Sequence, residues 1–267
     1  MKDIRVAAVS SCSPYGDINY NLDRLASWAQ KAGNKGADII CFPEMNITGY
    51  GHGEQTCKLA QPIDGTITQN LSDIASSENI VILAGFIEKN KAGAIFASHI
   101  VMQPDRKYGV YRKLHIAPPE RKVFTKGNSI PVFETNGVKF GIQLCYDAHF
   151  PELSTCMAEK GVDIIFFPHA SPKKTSQEKL DSWMRHLSAR AYDNTIFIVA
   201  CNQRGNNGCG LNFPGILIIL GPDGHLIGKK LSDQDDMIVA DLKSEKLVTL
   251  RNNRMCFFLP NRRPELY

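Results

Sequence analysis

Apolar residues stand at every second position in Val138, Phe140, Ile142 and Leu144. A period of two marks a strand with one buried face, and the alternation stops at Cys145. Phe150-Pro151-Glu152-Leu153 follows, with Pro at a first helical position and an acid beside it, which predicts a helix start. Cys145 therefore falls at the C-terminal lip of a strand, just before a helix. Ligand sites of α/β proteins gather at such places. A helix N-terminus and a nearby cation there would favour thiolate over thiol.

The same periodicities predict the rest of the chain. Ile4–Ser10 reads as a strand. Asn19–Ala32 is a helix with Leu22, Leu25, Ala26 and Trp28 at helical spacing, ended by Gly33 and Gly36. Ala37–Phe42 is a buried strand, Thr66–Ser76 a helix and Ile80–Ile87 an apolar strand. Phe96–Met102 and Lys107–Lys113 form a hairpin around Pro104-Asp105, and Pro131–Glu134 and Val138–Leu144 another, turning at Asn136-Gly137. Helix Pro151–Glu159, strand Val162–Phe167, helix Gln177–Tyr192 and strand Ile196–Ala200 follow. Pro214–Leu220 and His225–Lys229 pair around Gly221-Pro222-Asp223-Gly224, and Met237–Asp241 is a last strand. From Leu250 the chain reads as irregular, a tail over 250–267 placed to reach a partner subunit.

One internal echo bears on architecture. Lys35-Gly36-Ala37-Asp38-Ile39-Ile40-Cys41-Phe42-Pro43-Glu44 matches Lys160-Gly161-Val162-Asp163-Ile164-Ile165-Phe166-Phe167-Pro168-His169. Two similar halves related by a pseudo-twofold would put Glu44 and His169 at related strand ends beside one central site. No Pro-, Gly- or Ser-rich linker separates the halves, so residues 1–267 are expected to form one domain. Helix–strand units mixed with hairpins argue against a purely parallel sheet. Two mixed sheets packed face to face with helices outside would bury apolar strands on both faces.

Composition changes this picture little. A net charge of +4 with acids and bases interspersed gives no footprint for nucleic acid. The sequence shows no apolar stretch long enough to span a membrane, and Met1-Lys2-Asp3 leads directly into the first strand. The eight cysteines lack CxxC or zinc spacing, so reduced thiols in a cytosolic protein and no metal site are expected.

Two further segments give Cys145 a chemical context. Cys41-Phe42-Pro43-Glu44 holds a carboxylate directly after a buried strand, and Tyr111-Arg112-Lys113-Leu114-His115 holds an ammonium at another strand end. A thiol becomes a useful nucleophile when a base removes its proton. Desolvation lifts a carboxylate pKa toward the range where it can do so. A lysine between them would stabilise a developing oxyanion.

Together these segments resemble the nitrilase superfamily of carbon–nitrogen hydrolases. The signatures are Phe42-Pro43-Glu44 with Thr48-Gly49-Tyr50, Tyr111-Arg112-Lys113-Leu114-His115, and Cys145-Tyr146-Asp147 with Phe150-Pro151-Glu152. Glu120 with Phe124-Thr125-Lys126-Gly127-Asn128, and Arg190-Ala191-Tyr192-Asp193-Asn194 before Cys201-Asn202-Gln203, support it. The resemblance runs from Ile4 to about Asp241. It implies an α/β fold, a four-layer αββα sandwich, and a triad with Glu44 as base, Lys113 as stabiliser and Cys145 as nucleophile. It also implies an oxyanion hole completed by the Tyr146 backbone N–H, Glu120 beside the lysine, and no cofactor. A homodimer or larger assembly is implied through helices near the cysteine. Lys126, where a proline is common, and Leu211-Asn212-Phe213-Pro214-Gly215-Ile216 depart from the family pattern.

The expected reaction is hydrolysis of a small amide or N-carbamoyl compound through a thioester. A nitrile substrate and transfer of the acyl group to an amine are the alternatives; a non-catalytic binding module is disfavoured by the intact triad. Tyr146 stands where true nitrilases typically carry Trp. Tyr50, His149, His169 and Arg204 are candidate substrate-binding residues, and His115 is expected to be structural. Tyr146-Asp147-Ala148-His149 holds no arginine after the nucleophile, so a substrate without an α-carboxylate is expected, with Arg204 the one residue placed to reverse that.

Overall fold

The computed structural model describes residues 1–172 and 175–266. Ile4–Ser10 (β1), Ile39–Cys41 (β2) and Val81–Lys89 (β3) run parallel. Ile95–Met102 (β4) returns antiparallel on β3, and Tyr108–Arg112 (β5) antiparallel on β4. Phe133–Thr135 (β6) makes a hairpin with Val138–Ile142 (β7). The turn residues Asn136 and Gly137 both have positive φ, 51° and 75°, as a tight hairpin with right-handed twist requires. β7 then runs parallel to Ile164–His169 (β8), and β8 to Phe197–Asn202 (β9). A short ribbon follows, Gly205–Asn206 (β10) with Asn212–Phe213 (β11). Ile216–Leu220 (β12) and Leu226–Leu231 (β13) add antiparallel strands beyond β9. The last strand, Asp236–Leu242 (β14), crosses back and pairs antiparallel with β1.

The sheet orders are β14-β1-β2-β3-β4-β5 and β6-β7-β8-β9-β12-β13. Each contains a parallel trio, with one antiparallel strand on one flank and two on the other. The trios are connected by equivalent helices: Ile18–Gly33 (α1) and Thr66–Glu78 (α2) in the first, Pro151–Glu159 (α3) and Ser176–Asn194 (α4) in the second. This is the internal repeat seen in the sequence echo, with β2 matching β8. Leu22, Leu25, Ala29, Ile67, Leu71 and Ala75 of α1 and α2 pack on Ala7, Val9, Ile40 and Ile82. Trp183, Leu187 and Ala191 of α4 pack within the larger core that also holds the inner faces of both sheets. Cys41 of β2 meets Cys201 of β9 there, with sulfurs 4.0 Å apart and both thiols free. The result is an αββα sandwich whose central strands are buried on both faces, as parallel strands under helices must be.

Most boundaries lie one or two residues from the sequence reading, and two of the differences have a local cause. β2 spans three residues: the Ala37 N–H is taken by Ala32 O at the end of α1, and after Phe42, whose N–H still donates to Leu83 O at 2.9 Å, Pro43 has no N–H to continue the ladder. The tail does not begin at Leu250: Ser244–Asn252 is a helix (α5) with Leu247 its buried residue. Beyond it the chain packs back on its own subunit. Arg262 pairs with Glu159 of α3, and Phe258 lies 5.3 Å from the Tyr192 ring of α4. Among the described residues, no helix is long and apolar enough to cross a membrane.

Candidate active site

Pro43 ends the line of β2, and the chain drops Glu44 into the space between the sheets. Glu44 is fully buried and its Oε1 accepts from Lys113 Nζ at 2.8 Å. The Ala170 N–H donates to its Oε2 at 3.1 Å. Gln203 Nε2 donates to the Glu44 backbone oxygen at 2.8 Å. His169 ends β8 and Gln203 follows β9 directly, so Glu44 meets the second sheet through Ala170, the residue after His169, and through Gln203.

Lys113 follows β5 directly. Its N–H donates to Ala97 O at 2.9 Å and its carbonyl accepts from Gly127 N–H at 2.8 Å. A Cβ on Gly127 would stand 2.3 Å from Arg112 O, so the Phe-Thr-Lys-Gly loop needs glycine to reach this strand. The fully buried Lys113 ammonium also contacts Glu120, at 3.0 Å to Oε1 and 2.9 Å to Oε2. Glu120 is fixed in turn by the Tyr50 hydroxyl at 2.7 Å and the Ala117 N–H at 3.0 Å.

Cys145 opens a single turn, Cys145–His149, with φ of 44°. A non-glycine residue in the left-handed region is strained, and such residues concentrate at functional sites. Met45, immediately after Glu44, shares the feature with φ of 52°. The Cys145 thiol is in the electrostatic field of Glu44, Lys113, Glu120 and Lys179. Burial raises its pKa, Glu44 adds to that, and Lys113 opposes it. Burial likewise pushes Glu44 up to about 7 against the charge of Lys113. Burial alone would lower Lys113, but Glu44 and Glu120 outweigh it and hold the ammonium charged. The resting arrangement is thus a neutral thiol beside a carboxylate able to take its proton near neutrality.

The remaining predicted residues fall at different distances from this centre. Tyr146 follows Cys145 in the same turn, its ring edge-on to His149 and Phe150. His149 lies at the exposed rim, 4.8 Å from the His186 ring. His169 is buried, with Nδ1 2.8 Å from Phe167 O and its ring 4.4 Å from Trp183. It forms part of the wall. The Tyr50 hydroxyl is committed to Glu120, so Tyr50 braces the site instead of presenting its hydroxyl to substrate. Arg204 does not join the site residues as a carboxylate fork. Its Nε contacts Asp235 Oδ1 at 2.5 Å and its Nη1 donates to Asp233 O at 2.8 Å. His115 is structural, stacked on Phe150 at 3.7 Å.

Asp147 is a residue whose role the sequence left open. Buried, it accepts from the Tyr111 hydroxyl at 2.7 Å, the His115 N–H at 2.8 Å and the Leu144 N–H at 3.0 Å. Tyr111 and His115 flank Lys113 by two residues on either side, so Asp147 ties the lysine strand to the cysteine turn. Ala170 and Gln203 hold Glu44, and the Lys179 charge acts on the Cys145 thiol; the sequence reading named Gln203 only within Cys201-Asn202-Gln203 and assigned none of the three a role. Backbone donors leave no motif, and a lysine on a helix gives no signal of its burial. Among the described residues, no group of three or more His, Cys, Asp or Glu is placed to hold a metal ion.

The fold and this buried group define a class: an αββα protein with a carboxylate, an ammonium and a thiol drawn from both sheets. The carbon–nitrogen hydrolase family pattern matches residues 5–252. The Schizosaccharomyces pombe protein named "Probable nitrilase C965.09" is 32% identical over 271 residues, covering 98% of this chain and 96% of its own. An (R)-stereoselective amidase from a Pseudomonas species is 28% identical over 257 residues, covering 94% and 89%. An amidase from Nesterenkonia sp. AN1 superposes with a TM-score of 0.86 at 24% identity, over 98% of this chain and 95% of that one. The chain belongs to the carbon–nitrogen hydrolase family of the nitrilase superfamily, and is an enzyme of that kind.

Proposed function

We propose that this enzyme hydrolyses the C–N bond of a small amide or N-carbamoyl compound through a thioester on Cys145. Glu44 takes the thiol proton as sulfur attacks the carbonyl carbon. The Lys113 ammonium and the Tyr146 N–H stabilise the oxyanion that forms. Glu44 then returns the proton to the departing nitrogen, and ammonia or an amine leaves. In the second half Glu44 takes a proton from water, hydroxide adds to the thioester, and the thiol is regenerated with release of the acid. Glu120 holds Lys113 without touching the reacting atoms.

One observation carries this reading. The buried Lys113 bridges two carboxylates within 3.0 Å, and its charge and that of Glu44 both act on the Cys145 thiol. A purely structural ion pair would not need a strained thiol beside it. The amidase relative supports an amide substrate. Rapid quenching followed by intact-protein mass spectrometry is expected to show a substrate-sized adduct that disappears in Cys145→Ala. Full turnover by Cys145→Ala would remove the assignment. Ammonia release across amide, carbamoyl and nitrile panels identifies the substrate class.

A further inference from the structure

We propose that the cleft over the Glu88–Arg112 pair, on the outer face of the first sheet, is a binding site for a small organic carboxylate, separate from the buried centre around Cys145. The cleft encloses about 570 Å³, and Arg112 lies in its wall. Its character comes from a change along β3. Ile82, Ala84 and Phe86 share one face of the strand and pack in the apolar layer with α1 and α2. The next residue on that face is Glu88, fully buried. Ser98 of β4 and Arg112 of β5, paired in register, stand beside it. Here the cover is no longer a helix but the loop 60–64, which joins β3 through the bridge of Gln61 to Glu88. A polar trio thus replaces the apolar layer where the loop takes over.

A buried carboxylate is costly unless it is paired, and Glu88 is paired on both oxygens. Its Oε2 accepts from Ser98 Oγ at 2.6 Å and from Arg112 Nε at 2.8 Å, and its Oε1 from Arg112 Nη2 at 2.5 Å. The guanidinium also lies over the Phe96 ring, 4.8 Å from its centroid. Glu88 takes the Nε–Nη2 edge, which leaves the second Nη2 proton and both Nη1 protons to donate. Nη1 has no partner among the described residues, and the Arg112 side chain is 37% exposed. The Nη1–Nη2 end is a planar fork that matches a carboxylate. Because Glu88 and Phe96 already fix its plane, the fork loses little freedom when a ligand docks.

The rest of the wall selects the ligand. Lys89, Lys91 and Arg112 stand against Asp64 and Glu88, so three cations face two carboxylates and the cleft keeps a net positive charge. Ala60, Pro62, Ile63 and Ala92 give it an apolar side. An anion with a hydrocarbon body satisfies both, its carboxylate on the fork and its body on these four residues. The cleft does not open on the catalytic residues. Tyr111 and Lys113 of the same stretch reach inward to Asp147 and Glu44, and Arg112, between them, projects to the opposite side of the sheet.

Calorimetric titration of the full chain with benzoate tests the site. Binding is expected in the millimolar range or tighter. It is expected to weaken by about tenfold or more in Arg112→Lys, which keeps a charge beside Glu88 but loses the fork. Ala92→Trp, which fills the cleft without touching the ion pair, is expected to abolish binding with an unchanged melting temperature. Alkylating Cys145 with iodoacetamide fills the other centre and is expected to leave benzoate binding as it was. Unchanged binding in Ala92→Trp, or loss of binding on alkylation, places the anion elsewhere and overturns the cleft. No binding by the wild type at about 10 mM benzoate overturns it as well. If Arg112→Lys does not fold, Ala92→Trp and the alkylated protein decide.

Discussion

At the scale of single residues, the decisive quantity is the proton on Glu44. Its carboxyl sits at about 7 because burial raises it more than Lys113 lowers it. The base must be ionised to accept the thiol proton. Activity is therefore expected to be present above pH 7 and to fall as pH drops through that value. A kcat/KM profile on a neutral amide checks this, and a flat profile between pH 6 and 8 would remove Glu44 as the base. Lys113 gives no competing limb in that range, since its two carboxylate partners hold it charged. The strained φ of Cys145 has a related consequence. It turns the residue out of the β7 line, so that Cys145 is half-buried as a residue with its thiol held inside, while neighbouring Leu144 stays in the core.

At the scale of elements, the separation between β5 and the cysteine turn is set by Asp147. Replacing it with Asn keeps the shape but sets an amide N–H₂ against either the Tyr111 hydroxyl and Leu144 N–H, which share Oδ2, or the His115 N–H on Oδ1. Each unsatisfied buried donor costs about 1–3 kcal/mol. Asp147→Asn is expected to lose roughly 2–4 kcal/mol of stability in denaturant titration and to lower kcat as Lys113 shifts against Cys145. A variant with wild-type midpoint and kcat would show that the clamp is dispensable. Most of these elements are legible in the chain, because Val138–Ile142 alternates cleanly and Pro151 marks the start of α3. Periodicity places Glu44, Lys113 and Cys145 just past strand ends, and the resemblance of their segments to the family is what singles them out among such positions. α5 is not, since one buried residue, Leu247, makes no stripe for a helical period to reveal. Nor is Lys179, whose burial depends on α4 packing over a turn and a strand end remote in sequence. The tie from Arg204 to Asp235 is likewise tertiary, and no local pattern announces it.

At the scale of the whole molecule, the two halves contribute unequal parts to one candidate site: Glu44, Lys113 and Glu120 from the first, Cys145 and the Ala170 N–H from the second. Tyr192 of α4 and Phe258 beyond α5 lie 5.3 Å apart and are both exposed, and Val248, Met255 and Leu266 of the same C-terminal stretch are exposed as well. An exposed apolar pair of this kind offers an association surface. The chain is expected to form a homodimer through it, with light scattering reading twice the chain mass and Phe258→Asp with Met255→Asp reading less. A wild-type monomer at working concentration would contradict this. The pairing of β1 with β14, which sets Ile4 opposite Leu242, concerns how the molecule is made. A ribosome delivers β1 before every other strand of the fold and its outer neighbour after all of them. Throughout that interval β1 presents a bare row of N–H and C=O groups, the kind of edge on which other chains can add. The first sheet to be translated is thus also the last to be closed, and the nascent chain must keep that edge unpaired until its final strand emerges.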